Sequence, residues 1–295
     1  MSRDEHTAVS LQFLFVAAFL VQMTVGVLGI TVPIYADSLG ASPFLLGIIG
    51  GAGGLIYSFM PLVSGMLSDK FSRKAFISAS MASYTLASLL YILSEEPFRL
   101  IFIKILEWLS IAAFWPALEA LIADSSEEKL EEALKKFNIA WGSAMVIGPT
   151  IGGALISGYS VKAPFFLSLV ITLLLGLLSL VLVKEPPRET EKTARRSQMS
   201  NNLSSQYSIL NALSSIFLFS SLIGIVTSLF PAYATKLGIP AYEVGLMMFM
   251  FGAARTVTFY QAYRIEAKLR KIGMFLGGSL TLAVASFLVA SSYTT

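Results

Sequence analysis

The stretch Gly65-Met66-Leu67-Ser68-Asp69-Lys70-Phe71-Ser72-Arg73-Lys74 lies between two long apolar runs, one ending near Leu67 and the next beginning at Ala75. It gathers one acid and three bases in a chain that is only 13% charged and 55% hydrophobic, with a mean hydropathy of +0.74. A soluble domain is about a quarter charged. So short a charged segment between two runs of membrane length makes a tight hairpin at a bilayer surface.

Outward from this hairpin, nine apolar segments can be read, at 11–35, 44–67, 75–93, 99–122, 138–158, 163–183, 209–232, 243–263 and 272–291. Each is roughly 20 residues, the length a helix needs to cross a bilayer. Backbone groups in lipid must be satisfied within the segment, so the segments are expected to be helices. The short alternating runs of a transmembrane β-barrel are absent from the sequence. The fold class that follows is an all-α polytopic membrane protein.

Composition narrows the chemistry. There is no Cys, and the one His, His6, lies in a polar tail. Disulfides, thiolate metal sites and a His-based catalytic cluster therefore have no residues to build on. No catalytic residue, metal site or cofactor is assigned, and an enzyme is not expected. No G-x-x-x-x-G-K-[ST] stretch is present, so ATP is not indicated as a partner. The partner that composition implies is the lipid bilayer, with no nucleic acid.

Charge sets an orientation. With the N-terminus placed in the cytoplasm, sixteen of the 21 Lys and Arg residues fall on the inner side. Arg99, Lys162 and Lys236 fall outside, and Lys104 and Arg255 fall within spans. This is the positive-inside pattern, and it puts the C-terminal residue on the outside of a plasma membrane. Two inner segments stand apart. Asp124 to Lys136 is charged and helix-prone, with Glu131→Lys135 and Glu132→Lys136 spaced i,i+4, and is expected to extend the fifth span. Residues 184–208 contain Pro186-Pro187 and many charges, and read as a linker.

A shift of 198 residues superposes the chain on itself without a gap. Pro33, Tyr35, Ala36 and Leu39-Gly40 fall on Pro231, Tyr233, Ala234 and Leu237-Gly238; Gly26, Gly47 and Gly54 fall on Gly224, Gly245 and Gly252. The repeat unit is six helices. The expected organisation is a six-helix N-terminal bundle at 1–183, a cytoplasmic linker at 184–208, and three helices of an incomplete second bundle at 209–295. The alternative is a true nine-helix protein.

The opening stretch resembles the signature G-x-L-x-D-R-x-G-R-K of the major facilitator superfamily, between its second and third helices. Gly65, Leu67, Asp69, Arg73 and Lys74 match; Lys70 stands for Arg and Ser72 for the usual Gly. Parallel six-helix repeats and a central linker agree with that family. The resemblance implies a charge network that holds the two bundles together when the outside is open, with Arg73 pairing with Asp124. Asp69 would face a helix N-terminus in the second bundle, in the family the eleventh helix, and Gly65 would let two helices approach closely. Apart from the resemblance, Lys70, Arg73 and Lys74 can be read as purely topogenic.

Gly148-Pro149-Thr150-Ile151-Gly152-Gly153 is similar to the core of the family's G-P-x-x-G-G motif, associated with antiporters. Generic helix bending and close packing explain these residues equally well. In the fourth segment Lys104, Glu107, Trp108, Trp115 and Glu119 share a sector of roughly 120° on a helical wheel. They are either a wet, aromatic-lined path with Glu107 or Glu119 as proton site, or an internal Lys104–Glu107 pair with Glu119 near the inner surface. Arg255, in the eighth segment, is expected to face a central cavity, or to be a structural partner of Glu107 or Glu119. The function expected is secondary transport of a small-molecule substrate by alternating access, with protons as a further expected partner and antiport or efflux favoured. The alternative is a truncated, non-transporting fragment with a scaffold or assembly role.

Overall fold

The computed structural model describes residues 3–126, 129–185, 223–257 and 280. The chain divides into two compact units, Met1–Phe249 and Met250–Thr295. The expected linker beyond Glu185, the start of the seventh span, the end of the eighth and all but one residue of the ninth lie outside the described residues.

Six helices fill the first part of the chain: α1 (Arg3–Ser38), α2 (Pro43–Lys70), α3 (Arg73–Leu93), α4 (Arg99–Ser125), α5 (Leu130–Gly158) and α6 (Ala163–Leu182). Each is long and apolar enough to cross a membrane, α1 from Ser10 onward. Residues 223–236 (α7) and 241–257 (α8) are also helical, and no strand occurs among the described residues. The protein is an all-α polytopic membrane protein.

The charged stretch that opened the sequence is less of a loop than its composition suggested. Gly65–Lys70 completes α2, Arg73 already begins α3, and only Phe71 and Ser72 connect them. The Ser72 hydroxyl caps α3 by accepting from the Ala75 N–H at 3.1 Å. The expectation that Asp124–Lys136 extends the fifth span holds for Leu130–Lys136 and is corrected at its start. Asp124 and Ser125 finish α4, and α5 starts at Leu130. Glu131 and Glu132 then occupy the first turn of α5, where the exposed N–H groups favour acids. Glu132 pairs with Lys136 at 2.8 Å.

α1 packs mainly on α5, α2 on α4, and α3 on both α6 and α4. α1 and α4 supply much of the core, including Leu14, Val21, Leu28, Phe114, Leu118 and Leu121. Three hydroxyl pairs join α3 to α6 in one antiparallel register: Ser78–Ser179 at 2.8 Å, Thr85–Thr172 at 3.0 Å and Ser88–Ser168 at 2.9 Å. Successive helices alternate in direction, which gives the bundle two ends. The signature end carries the α2–α3 junction; the far end carries the α1–α2 turn.

The 198-residue repeat holds at the level of single hydrogen bonds. At the end of α1, the N–H groups of Leu39, Gly40 and Ala41 donate to the carbonyls of Tyr35, Asp37 and Ala36 at 3.1, 2.8 and 3.0 Å. At the end of α7, those of Leu237, Gly238 and Ile239 donate to Tyr233, Thr235 and Ala234 at 3.2, 3.0 and 3.1 Å. Gly40 and Gly238 both have φ of 85°. Both are Schellman caps, in which a residue in the left-handed region reverses the chain and satisfies the last carbonyls.

Candidate functional site

At the signature end, Arg73 is the centre of a charge cluster built by three helices. Its guanidinium pairs with Asp69 on α2 at 3.1 Å, with Asp124 at the end of α4, and donates to the Ala120 carbonyl at 2.9 Å. Arg73 is 17% exposed, so these bonds are only partly screened by water, whereas Asp69 is 53% exposed. Lys70 is exposed, with its ammonium 5.9 Å from the Phe71 ring centroid. The backbone N–H of Lys74 donates to Glu185 Oε1 at 2.6 Å, and the Ser72 hydroxyl donates to the same oxygen at 2.7 Å. Sequence reasoning missed Glu185, which follows α6 and has no spacing relation to the signature. Gly65 does not mediate the close approach expected of it. A Cβ there would sit 3.6 Å from Pro116 Cβ, an ordinary contact. The tight α2–α4 contacts are instead at Gly53 and Ser64. A Cβ at Gly53 would come within 2.5 Å of the Trp108 ring, and the Ser64 hydroxyl donates to the Ala112 carbonyl at 2.5 Å.

The polar residues of α4 separate by depth. Lys104 and Glu107 are 8% and 1% exposed, and the ammonium lies 2.9 and 3.0 Å from the two carboxylate oxygens. The Tyr91 hydroxyl, from α3, donates to Glu107 Oε2 at 2.8 Å. A buried carboxylate so engaged is held as an ion pair. Trp108 lies beside this pair, its ring 5.7 Å from the Lys104 ammonium and edge-on to Tyr57 at 5.3 Å. Trp115 is buried among the described residues. It is a core residue packed against Phe114 and Phe137, with centroids 5.1 and 6.0 Å away. Glu119, directly before Ala120, whose carbonyl accepts from Arg73, is exposed.

The Gly-Pro segment of α5 is a two-sided seam. On one side Gly148 and Gly152 meet α1: a Cβ at Gly148 would lie 2.7 Å from the Met23 carbonyl oxygen and 2.9 Å from Gly26 Cα, and one at Gly152 2.9 Å from the Val27 carbonyl oxygen. The other side meets α8. A Cβ at Gly153 would overlap the Ala241 carbonyl, and one at Gly245 would lie 2.7 Å from the Pro149 carbonyl oxygen. Such bare backbone contacts are how membrane helices gain van der Waals contact. The Ser157 hydroxyl accepts from the Tyr242 N–H at 2.9 Å and fixes this crossing.

Around that crossing the described helices meet at the far end. Ile30 and Ile34 of α1, Ile156 of α5, Val226 and Phe230 of α7, and Ala241 and Met248 of α8 form one apolar cluster. Above it, Asp37 at the end of α1 pairs with Lys236 at the end of α7 at 2.7 Å. Asp37 was not singled out from the sequence, and Lys236 only as an outer-side base; the signal available was that 37 and 236 are one position apart in the repeat register. Arg255 falls in the second compact unit, on the helical residues 241–257, and is partly exposed.

A family model described as Major Facilitator Superfamily matches residues 14–295. An uncharacterized MFS-type transporter of Methanocaldococcus jannaschii is 29% identical over 154 residues, which is 52% of this chain and 40% of that protein. Multidrug resistance protein 1 of Bacillus subtilis is 25% identical over 195 residues, 66% of this chain and 50% of the relative. The chain spans about half the length of the curated relatives it matches. Among solved structures, an inward-facing, unoccupied bacterial homologue of the human lysosomal transporter Spinster superposes with a TM-score of 0.69 at 14% identity. That match covers 92% of this chain and 64% of the other.

Proposed function

Because the chain belongs to the major facilitator superfamily, we propose that it is a secondary active transporter that moves a small organic solute by alternating access, with export favoured. The observation that carries this reading is the closure of the far end between repeat-related helices, through Asp37–Lys236 and the apolar cluster below it. A second charge cluster, around Arg73, stands at the opposite end. Its members all lie on α2, α3 and α4, so of the two sets only the far-end contacts join the two bundles and would break as the bundles rock, biasing one state. In this reading residues 1–183 are one bundle, 184–208 the linker, and 209–295 part of the second bundle. The N-terminus is cytoplasmic and the membrane is the plasma membrane. The Bacillus relative's name, Multidrug resistance protein 1, supports drugs as the solute class.

Proton coupling falls to Glu119 in this reading. Glu107 is committed to Lys104 and Tyr91, while Glu119 is exposed. The test is flux of ethidium and a panel of small organic solutes into inverted vesicles carrying the full chain, with and without a proton gradient. Gradient-dependent flux above empty vesicles, lost in Arg73→Ala, supports the reading. Flux equal to empty vesicles for every solute contradicts it and favours a scaffold or assembly role. Flux unaffected by both Glu107→Gln and Glu119→Gln removes the proton site.

A further inference from the structure

We propose that Glu185 is a positioning residue for the Arg73 switch; this rests on the transport reading above. One carboxylate oxygen of Glu185 takes two donors, the Ser72 hydroxyl at 2.7 Å and the Lys74 N–H at 2.6 Å. Both donors flank Arg73 in the sequence. Glu185 therefore holds the Ser72 side chain and the Lys74 backbone, on either side of the residue whose guanidinium spans Asp69 and Asp124. An anion at this place also complements the N-terminal partial charge of α3. Ser72 gains a meaning here. It stands where the resembling motif has Gly, and it both caps α3 and donates to Glu185.

The reach of Glu185 is set by α6. The three hydroxyl pairs fix the register of α6 against α3 along its length. At the opposite end of the same helix pair, the Lys162 ammonium donates to the Ile92 carbonyl at 3.0 Å. α3 is thus capped at its C-terminal end by a cation just before α6 and at its N-terminal end by an anion just after it. The neighbouring Lys184 N–H donates to the Ser10 hydroxyl at 3.3 Å, so the same short segment also touches α1. Glu185 converts the fixed position of α6 into a fixed aim for Arg73.

The chain has no Cys, so Ile34→Cys, buried in the far-end cluster, is a clean reporter of how often that end opens. Its alkylation rate is measured in the full 295-residue chain in lipid vesicles, beside the thermal midpoint. Glu185→Ala is expected to change the rate by about threefold or more, in the same direction as Asp69→Asn. Glu185→Gln, which keeps an acceptor oxygen, stays near the parent rate. Adding Ser72→Ala to Glu185→Ala produces no further change. A lowered midpoint with an unchanged rate overturns the proposal and leaves Glu185 a helix cap only. If Glu185→Ala does not insert, Ser72→Gly is read instead: a rate shifted in the same direction supports the proposal, and an unchanged rate overturns it. If Asp69→Asn moves the rate and Glu185→Ala does not, this proposal alone falls; if neither moves it, the switch reading falls as well.

Discussion

Asp37 and Lys236 pair at 2.7 Å across the far end of the molecule, each at the end of a helix that is the repeat counterpart of the other's. Asp37 is 14% exposed and Lys236 50%, so the pair is partly screened and worth about 0.2–1 kcal/mol. That is small for stability but sufficient to bias two states of similar energy. Asp37→Asn and Lys236→Gln are each expected to raise the alkylation rate of Ile34→Cys by up to about fivefold, with little change in thermal midpoint. The double reversal Asp37→Lys with Lys236→Asp returns the rate toward the parent value.

The Lys104–Glu107 pair is different in kind, because both groups are buried. Removing one partner leaves an uncompensated charge. Lys104→Ala is expected to destabilise the protein by about 3–5 kcal/mol, read from denaturant unfolding in detergent. Replacing both, as Lys104→Met with Glu107→Leu, is expected to cost less than Lys104→Ala alone. Tyr91→Phe removes one of the bonds to Glu107 and costs about 1.5–3 kcal/mol.

The Gly-Pro seam predicts a contrast between neighbouring glycines of one helix. At Gly148 the obstructing atoms are α1 backbone, which has no flexible end to swing away. Gly148→Ala is expected to destabilise by about 1–3 kcal/mol, as overpacking does. Gly142 has nothing within 4 Å of an added Cβ. Gly142→Ala is expected to be neutral, or stabilising by about 0.5–1 kcal/mol, since Ala holds a helix better than Gly. Thermal midpoints of the two variants, measured side by side, check this.

The matched turns make a similar prediction in two places at once. Gly40 and Gly238 share a φ of 85°, where a side chain is strained, although a Cβ at either site meets nothing within 4 Å. Gly40→Ala and Gly238→Ala are each expected to cost about 1–2 kcal/mol, from the backbone alone. Unequal losses would mean that the two caps do not share the local energetics their hydrogen bonds imply.

Much of the fold was legible because membrane helices are written in length and hydrophobicity, which need no partner to interpret. The spans at 99–122 and 163–183 differ from α4 and α6 by three residues or fewer at either end. The repeat was legible from Gly40 and Gly238 because a left-handed turn requires the same residue twice. The Lys104–Glu107 pair was legible as an i,i+3 spacing. What was not legible depends on which helix faces which. Glu185 meets Ser72 only because α6 returns beside α3, and Trp108 needs Gly53 only because α2 crosses α4 there. Trp115 shares a helical face with Glu119, yet one is a core residue and the other is exposed, although Leu118, Leu121 and Ile122 around Glu119 are buried. A wheel projection does not show which neighbouring helix covers which position.

The most direct measurement is the distance distribution between spin labels at Ser38→Cys and Leu237→Cys, in the cysteine-free chain in lipid vesicles. These sites flank the Asp37–Lys236 pair at the far end. Alternating access predicts two populations: a short distance matching the closed end described here, and a longer one whose share grows in Asp37→Asn. A single short distance, unchanged by Asp37→Asn and by every solute tested, would contradict the account.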